Sequence, residues 1–305
     1  MVNIYENVDR NKWMSVVIVG CFITFVVGVT YIFARGMGFD LSIVGIALIF
    51  SGIMSFASYY FSDSMILSLS GAREANRKQN FQFYTVAENL VMAAQLPMPK
   101  LYVIDDTAMN AFATGRDPQH AVVCATTGLL DKLNRTELEG VIAHELSHVR
   151  NYDTRLMSIV TILVGLVALL ADWFLRASFW GSGRRSKSDG ESGQLQMLFF
   201  VAGLVLALLS PIISQLIQLA ISRRREFLAD ASSAALTKYP NGLISALKKL
   251  NADKEPLEAA NKATAHLYIV NPLRNVSGAR SWFAGLFDTH PPVVERIAAL
   301  EGKSS

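Results

Sequence analysis

The sequence predicts a mainly α-helical membrane protein that also contains an α+β domain with a small sheet. Hydrophobic residues make up 51% of its 305 residues and charged residues only 17%, and the mean hydropathy is +0.32. Soluble globular domains carry about 25% charged residues, so this composition indicates membrane segments. Four apolar runs account for the surplus: two lie near the N-terminus, and two are inserted within the α+β domain.

The first two apolar runs are each long enough to cross a bilayer. No charged residue lies between Lys12 and Arg35, and the stretch from Met14 to Phe33 is almost wholly apolar. A second charge-free stretch covers residues 41–62. Both match the roughly 20 residues that a membrane-spanning helix requires. The first run is too long for the apolar core of a signal peptide and no cleavage pattern follows it, so we predict an uncleaved pair of spans.

The two later apolar runs, 156–171 and 192–222, are predicted to form a second membrane pair. Pro211 predicts a kink in the fourth run. Two alternatives stay open: the third run is a buried helix of a soluble core, or the pair is a hairpin that enters the membrane and returns. The loop between these runs carries more basic than acidic residues, which argues against a full crossing because basic loops stay in the cytoplasm.

The distribution of Lys and Arg predicts the orientation of the chain. Arg10 and Lys12 precede the first run, three basic residues lie within 73–78 after the second, and only Arg35 lies in the hairpin between them. Because basic residues flank membrane segments on the cytoplasmic side, the N-terminus and the α+β domain are expected in the cytoplasm. The protein is therefore predicted to be multi-pass.

The apolar runs divide the chain into four predicted regions. These are 1–63 with the N-terminal pair of membrane helices, 64–155 with the first half of the α+β domain, 156–222 with the second membrane pair, and 223–305 with the second half of the domain. Within the first half, three short runs rich in Val, Ala and Thr, at 101–104, 111–114 and 121–126, predict the small sheet.

The strongest chemical signal is the segment 141–148, which reads VIAHELSH. A helix places His144 and His148 one turn apart on one face, where both imidazoles can reach a single metal ion. Glu145 lies beside that ion, where its carboxylate can take a proton from a metal-bound water. Thr136 begins a capping-box pattern, T-E-L-E, which predicts the start of this helix independently of the motif.

A catalytic zinc ion needs a third protein ligand, and Glu226 is the best candidate. Glu226 and Asp230 lie four apart in RRREFLAD and share a helix face, so Glu226 could bind the metal while Asp230 accepts the second ring N–H of a ligand histidine. The alternative is that both acids pair with the arginines 223–225 on a solvated face. Asn151 and Thr154 stand where a metzincin has Gly and His, which excludes that class.

The segments HELSHVRNYD, SRRREFLADASSA, MNAFATG and THPPVVERIAAL together resemble the HtpX membrane zinc metalloproteases, gluzincins related to the CAAX prenyl proteases. The resemblance implies one Zn²⁺ per chain, held by His144, His148 and Glu226, with Glu145 as the catalytic base and Asp230 supporting a ligand histidine. It also implies a zincin-like cytoplasmic domain. The implied function is a bacterial inner-membrane endopeptidase, often associated with heat shock, that degrades damaged or misassembled membrane proteins.

The predicted strand at 111–114 is a candidate substrate-binding element. A strand beside a metal cleft can pair with a peptide through backbone hydrogen bonds, whatever the side chains of the peptide. The resemblance gives this role to Asn110, Ala111, Phe112 and Ala113, with Asn110 holding the substrate backbone. From the residues alone, an ordinary packed strand with Asn110 in a turn is the simpler interpretation.

Two residues near the C-terminus are candidates for stabilising the oxyanion that forms when water attacks a carbonyl. His290 precedes a predicted helix at 293–300, and Arg296 lies within that helix. Either side chain could donate to the oxyanion, but His290 could equally cap the start of the helix. His120 and His266 have no supporting partners in the sequence and are predicted to lie on the surface.

Polypeptides, mainly membrane proteins, are the predicted substrates. The lipid bilayer and other membrane quality-control proteases are the expected partners. The formal net charge is only +3, and no basic cluster with interleaved aromatic residues occurs, so nucleic acid is not an expected partner.

Two rival functions stay open from the sequence. A site-2-type intramembrane protease embeds its HExxH motif in a membrane span, but Arg150, Asp153 and Arg155 follow the motif here and argue against that position. A non-enzymatic membrane scaffold would use zinc structurally. Structural zinc usually takes four protein ligands, often cysteines, and neither Cys21 nor Cys124 lies near the motif.

Overall fold

Helices dominate the computed structural model. The model describes residues 4–37, 40, 42–163, 223–258, 264, 267–270 and 290–302. The helices of these residues are α1 Ile4–Met37, α2 Ser42–Leu69, α3 Phe81–Ala94, α4 Thr127–Lys132, α5 Arg135–Arg150, α6 Arg223–Thr237, α7 Pro240–Ala252 and α8 Val293–Leu300. The strands are β1 Arg73–Glu74, β2 Lys100–Ile104, β3 Ala111–Thr114 and β4 Val122–Thr126. A mainly helical protein with a small mixed sheet is thus confirmed.

Two helices of the described chain are long and apolar enough to cross a membrane. The candidate spans are Val8–Gly28 within α1 and Val44–Leu69 within α2. Only 17% of either span is buried inside the protein, and large apolar side chains such as Val16, Ile49 and Phe56 are exposed. An apolar surface of this extent is suited to contact with lipid.

The predicted second membrane pair lies mostly outside the described residues, which end at 163 and resume at 223. The described start of the third run, 156–163, is helical and fully buried. It packs in one cluster with Ile18 of α1 and Ile66 of α2. This part of the run therefore contacts the N-terminal hairpin, while the prediction of four spans stays a prediction.

The sheet connects the membrane hairpin to the rest of the protein. Its strand order is β1-β2-β4-β3, with β2 and β4 parallel, β1 antiparallel to β2 and β3 antiparallel to β4. Side chains alternate between two faces, so Ala111 and Ala113 face one core and Phe112 faces the other. The first core is shared with α3, α5 and α7, and the second with α1, α2 and residues 156–163.

Helix α5, which carries the HExxH motif, begins at a different cap from the predicted one. Asn134 is the N-cap: its side chain accepts from Glu137 N at 3.0 Å, and the Glu137 carboxylate accepts from Asn134 N at 2.8 Å. The prediction of Thr136 at the cap was wrong because Asn134 and Glu137 form the same box two residues earlier. Ser245 and Lys249 of α7 also bind Glu137, at 2.6 and 2.7 Å, so the start of α5 is tied to α7.

Two glycines let α5 and α7 approach each other closely. A Cβ at Gly140 would lie 2.6 Å from the backbone nitrogen of Leu243, and a Cβ at Gly242 would lie 2.5 Å from the carbonyl oxygen of Thr136. Both distances are far below van der Waals contact, so each helix needs glycine where it meets the backbone of the other. Ser233 of α6 donates to the Gly140 carbonyl at 2.7 Å, which adds the third helix to the same contact.

Replacing Gly140 with alanine should therefore destabilise the protein, although alanine favours helix by about 1 kcal/mol over glycine. The added methyl group forces α7 away from α5, and overpacking of this kind costs roughly 1–3 kcal/mol. We expect a thermal unfolding midpoint several degrees below that of the parent in detergent solution. Gly52→Ala on α2, where a Cβ meets nothing within 4 Å, is the matched control and should be neutral or stabilising. Equal midpoints for the two variants would contradict the close contact.

Candidate metal centre

Helix α5 brings the two motif histidines together in the interior of the protein. His144 and His148 are 1% and 6% exposed, and their Nε2 atoms lie 3.2 Å apart. The spacing of four residues places both rings on one face of the helix, as the sequence predicted. Two imidazole nitrogens at this distance point toward a common position.

Helix α6 supplies a carboxylate at the same position. Glu226 is 1% exposed, and its carboxylate oxygens lie 3.7 Å from His144 Nε2 and 3.5 Å from His148 Nε2. The predicted alternative, ion pairing of Glu226 on a solvated face, is therefore wrong, because burial removes Glu226 from water. His144, His148 and Glu226 form a group whose ligand atoms all lie within 4.8 Å of one another.

The three donor atoms fit one tetrahedrally bound ion. Zinc–ligand distances of roughly 2.0–2.1 Å place neighbouring donors of a tetrahedron about 3.3 Å apart. The two Nε2 atoms are 3.2 Å apart. One Glu226 oxygen lies 3.5 Å from His148 Nε2 and the other lies 3.7 Å from His144 Nε2, which are separations near this value. Two imidazoles and one carboxylate leave a fourth position free for water or substrate, which is the arrangement of a catalytic rather than a structural site.

Buried carboxylates orient both imidazole rings. Asp230 of α6 lies 3.0 Å from His144 Nδ1, and Asp153 lies 3.0 Å from His148 Nδ1. Since a carboxylate only accepts hydrogen bonds, each Nδ1 carries the hydrogen and donates it. Each Nε2 therefore presents a lone pair toward Glu226, which is the tautomer that a metal requires.

Arg296 of α8 holds Asp230 in place. Its guanidinium is fully buried and donates two hydrogen bonds to the Asp230 carboxylate, at 2.8 and 2.6 Å, and one to the carbonyl of Ile269 at 3.1 Å. Arg296 was one of two candidates for an oxyanion donor. These contacts favour a different role, in which Arg296 neutralises Asp230 behind His144.

His290 lies directly beside the third candidate ligand. Its Nδ1 is 2.9 Å from a carboxylate oxygen of Glu226, and its side chain is 8% exposed. Burial raises the pKa of Glu226, but the positive charges of His290, His148 and Arg296 outweigh burial and hold that pKa well below its usual range. Glu226 is therefore ionised and available as a ligand. The oxyanion role of His290 stays a prediction.

The electrostatic field of the site favours a cation between the ligands. Burial lowers the pKa of His144 to about 4 despite its hydrogen bond with Asp230. Burial also disfavours charge on His148, yet the hydrogen bond with Asp153 and the nearby carboxylates raise its pKa to about 9. A proton or a metal ion at His148 Nε2 would each supply the positive charge that these carboxylates require.

Glu145 lines the same small cavity as the two candidate ligands His144 and His148. It is 3% exposed, and burial raises the pKa of its carboxyl to about 7. The cavity has a volume of about 10 Å³ and is lined by Ala113, His144, Glu145, His148, Met157, Leu267, Ile269 and His290. This is about the space that one water molecule occupies. In this structure the site is thus closed to a peptide.

The four residues predicted to bind substrate lie on or next to edge strand β3, but they face different partners. Ala113 lines the cavity, whereas Phe112 points to the opposite face and packs edge-on against Tyr268. The Asn110 side chain donates to the Val270 carbonyl at 2.9 Å. The remaining residue, Ala111, accepts a backbone hydrogen bond from Ile269 N at 3.0 Å. The chain's own residues 267–270 therefore lie along part of this edge.

Sequence reasoning missed two residues that the structure places around His148. Asp153 was interpreted only as a charge that keeps the motif out of the membrane, and Asn11 was not considered. Asp153 follows His148 by only five residues, so its closeness in sequence could have indicated a contact with that histidine. Asn11 is distant in sequence and carried no signal. His120 is about half exposed, as predicted, and His266 lies outside the described residues.

Comparison with known proteins identifies a matching family and several similar proteins. The family model described as Peptidase family M48 matches residues 77–304. The chain is 44% identical over 302 residues to a protein named Protease HtpX homolog from Dictyoglomus turgidum, covering 97% of this chain and 93% of that protein. It is 40% identical over 304 residues to the protein of the same name from Ligilactobacillus salivarius, covering 98% and 99%. Among solved structures, S. mikatae Ste24p is similar with a TM-score of 0.48 and 19% identity, covering 95% of this chain and 66% of that one.

Glu226→Gln should remove most of the metal from the purified protein. The amide is a neutral isostere, so it keeps the shape of the side chain but loses the negative charge that a dication requires. We expect metal-to-protein ratios near one for the parent and near zero for the variant after dialysis, measured by atomic emission. Glu295→Gln, on the exposed side of α8, should leave the ratio unchanged. Full metal content in Glu226→Gln would remove Glu226 from the ligand set.

Proposed function

The chain belongs to peptidase family M48 and is a membrane-bound metalloprotease, and we propose that it is a zinc-dependent endopeptidase of the bacterial inner membrane. The observation that carries the proposal is the grouping of His144, His148 and Glu226 as possible metal ligands, with Glu145 lining the same small cavity as the two histidines. The donor set favours zinc because two imidazoles and a carboxylate match its catalytic sites.

The protein side of the reaction follows from the arrangement of these groups. Bound zinc would polarise both the attacking water and the peptide carbonyl. Glu145, which lines the cavity, takes the proton of the water and returns it to the leaving amine. A carboxyl with a pKa raised toward 7 is suited to both halves of this transfer at neutral pH. His290 is close enough to the cavity to donate to the oxyanion.

Substrate binding uses the edge of the sheet. Asn110 pairs with Thr126 of β4, so the backbone groups of Ala111 and Ala113 point away from the sheet toward the cavity side. Ala111 already accepts from Ile269, whereas Ala113 lies at the cavity. A peptide therefore pairs with β3 next to Ala113, and the side chains that close the cavity move to admit it. Backbone pairing of this kind is tolerant of sequence, which suits the degradation of many unfolded proteins.

The location and the substrates are inferred from the candidate membrane helices and from the family that the sequence motifs resemble. The two candidate spans leave most of their apolar surface outside the protein, and the start of the third run packs on them. The basic residues that flank the spans support a cytoplasmic centre. Damaged or misassembled membrane proteins are the substrates that such a position would reach. Stress-related quality control, alongside other membrane proteases, is the corresponding cellular role.

The two rival functions receive less support. A site-2-type protease would carry its motif in a membrane span, but α5 is not one of the two candidate spans of the described residues. That class also takes an aspartate as its third ligand, whereas the acid grouped with His144 and His148 is Glu226. A structural zinc site would be closed by a fourth protein ligand. The described residues provide three grouped ligands and a catalytic-type acid beside them.

Glu145→Gln should abolish proteolysis while leaving zinc bound. Loss of a general base costs a factor of roughly 10²–10⁴ in rate, so we expect a fall of at least about 100-fold in cleavage of an unfolded protein by the detergent-solubilised enzyme. Glu139→Gln, six residues before Glu145 and on a partly exposed side of α5, should keep parental activity. Unchanged cleavage by Glu145→Gln at full zinc content would refute the base assignment.

The orientation can be tested by labelling with a membrane-impermeant maleimide. In a Cys21→Ser background, Asp40→Cys lies in the connection between the spans and Asp131→Cys lies in the catalytic domain, and both positions are exposed. Because the hairpin connection is expected outside and the domain inside, Asp40→Cys should react in intact spheroplasts. Asp131→Cys should react only after permeabilisation. The reverse pattern would show that the catalytic domain faces outward.

A further inference from the structure

Asn11 is a polar residue of the first candidate membrane span that is buried within the protein. It lies on α1 and is only 1% exposed. Its amide nitrogen donates to a carboxylate oxygen of Asp153 at 2.6 Å and to the carbonyl of Asn151 at 2.9 Å. Its amide oxygen accepts from Arg225 at 3.0 Å. Both donors and one acceptor of the amide are therefore used, which fixes its orientation.

Asp153 joins this amide to the metal centre. One of its oxygens receives the Asn11 hydrogen bond, and the other lies 3.0 Å from Nδ1 of His148. The carboxylate therefore cannot rotate to suit one partner without disturbing the other. Since the ring of His148 is oriented through Nδ1, the rotation of Asp153 decides where the Nε2 lone pair points.

The turn that carries Asp153 also depends on contact with α1. Tyr152 has φ 59°, a left-handed conformation that is strained for a residue other than glycine. Two residues of α1 contact this turn. Asn11 donates to the Asn151 carbonyl, and the Lys12 ammonium lies 4.6 Å from the centre of the Tyr152 ring. The membrane helix thus supports the turn from which Asp153 reaches His148.

We propose that Asn11 is a positioning residue for the metal site, which acts from the first membrane helix through Asp153 on His148. The proposal rests on the metal site of the proposed function. It adds that the docking of α1 and the affinity for metal are coupled: a change that moves α1 lets Asp153 turn and weakens the bond between His148 and the ion. The membrane anchor is then a part of the active site.

The test measures zinc affinity of the full-length protein in detergent by competition with a chelating dye. Asn11→Leu keeps the branching and the number of heavy atoms of the side chain and suits a membrane helix, but the hydrogen bond to Asp153 is lost. We expect affinity to fall 10–100-fold, the usual effect of losing a group that orients a metal ligand. Ser15→Ala is the control, because Ser15 is also buried on α1 but donates only to the Asn11 carbonyl at 2.8 Å.

A second measurement separates positioning from a general loss of structure. In an Asp153→Asn background, Asn11→Leu should weaken zinc binding by less than twofold, since the link that transmits its effect is already broken. Both metal-free variants should still unfold in one cooperative thermal transition, which would show that any loss of zinc affinity occurs in a folded protein.

Three outcomes would overturn the proposal: parental affinity in Asn11→Leu, equal losses in Asn11→Leu and Ser15→Ala, or a full additional loss in the Asp153→Asn background. A failure of the proposed function is recognised separately. If the proposed function fails, Glu226→Gln retains zinc. If only the proposal for Asn11 fails, Glu226→Gln loses zinc while the Asn11 variants bind zinc as the parent does.

Discussion

Glu145, Glu226, Asp153 and Asp230 are each at most 3% exposed, and carboxylates removed from water in this way stay ionised only where positive partners lie close to them. The need for positive partners explains which groups surround these four acids. Arg296 binds Asp230 with two hydrogen bonds and so fixes α8 against α6. The remaining negative charge surrounds the two histidines, where a bound metal ion would supply the balancing charge. The same requirement explains the raised pKa of the Glu145 carboxyl, because burial opposes its ionisation.

The metal centre is built on contacts that reach from the membrane hairpin to the last helix. The sheet packs on α5 through one face and on α1 and α2 through the other, so the HExxH helix and the membrane helices share one scaffold. Asn11 and Asp153 add a polar connection to this apolar one. On the proposed role of Asn11, a displacement of the membrane anchor would be felt at the metal ligands, which a soluble domain on a flexible tether would not allow.

Residues 267–270 link the small cavity to the partly occupied edge of β3. A space of about 10 Å³ admits a water molecule but not a peptide, and residues 267–270 take one backbone position of β3. Arg296 also binds the carbonyl of Ile269, so the segment that covers the cavity is attached to the group that supports His144. If peptides bind at the β3 edge as proposed, their entry would disturb contacts of the candidate metal centre.

The sequence by itself determined the features that depend on local spacing. Charge-free runs define the spans, the four-residue interval of HExxH puts His144 and His148 on one helix face, and the bounds of α8 follow from its local pattern. Only the tertiary structure decided which distant groups complete the site. Asn11 and Asp153 are 142 residues apart, and Arg296 and Asp230 are 66 apart, so no periodicity links them. Even the cap of α5 was ambiguous, because Asn134 and Thr136 are both good N-caps and the contacts of Glu137 with α7 are long-range.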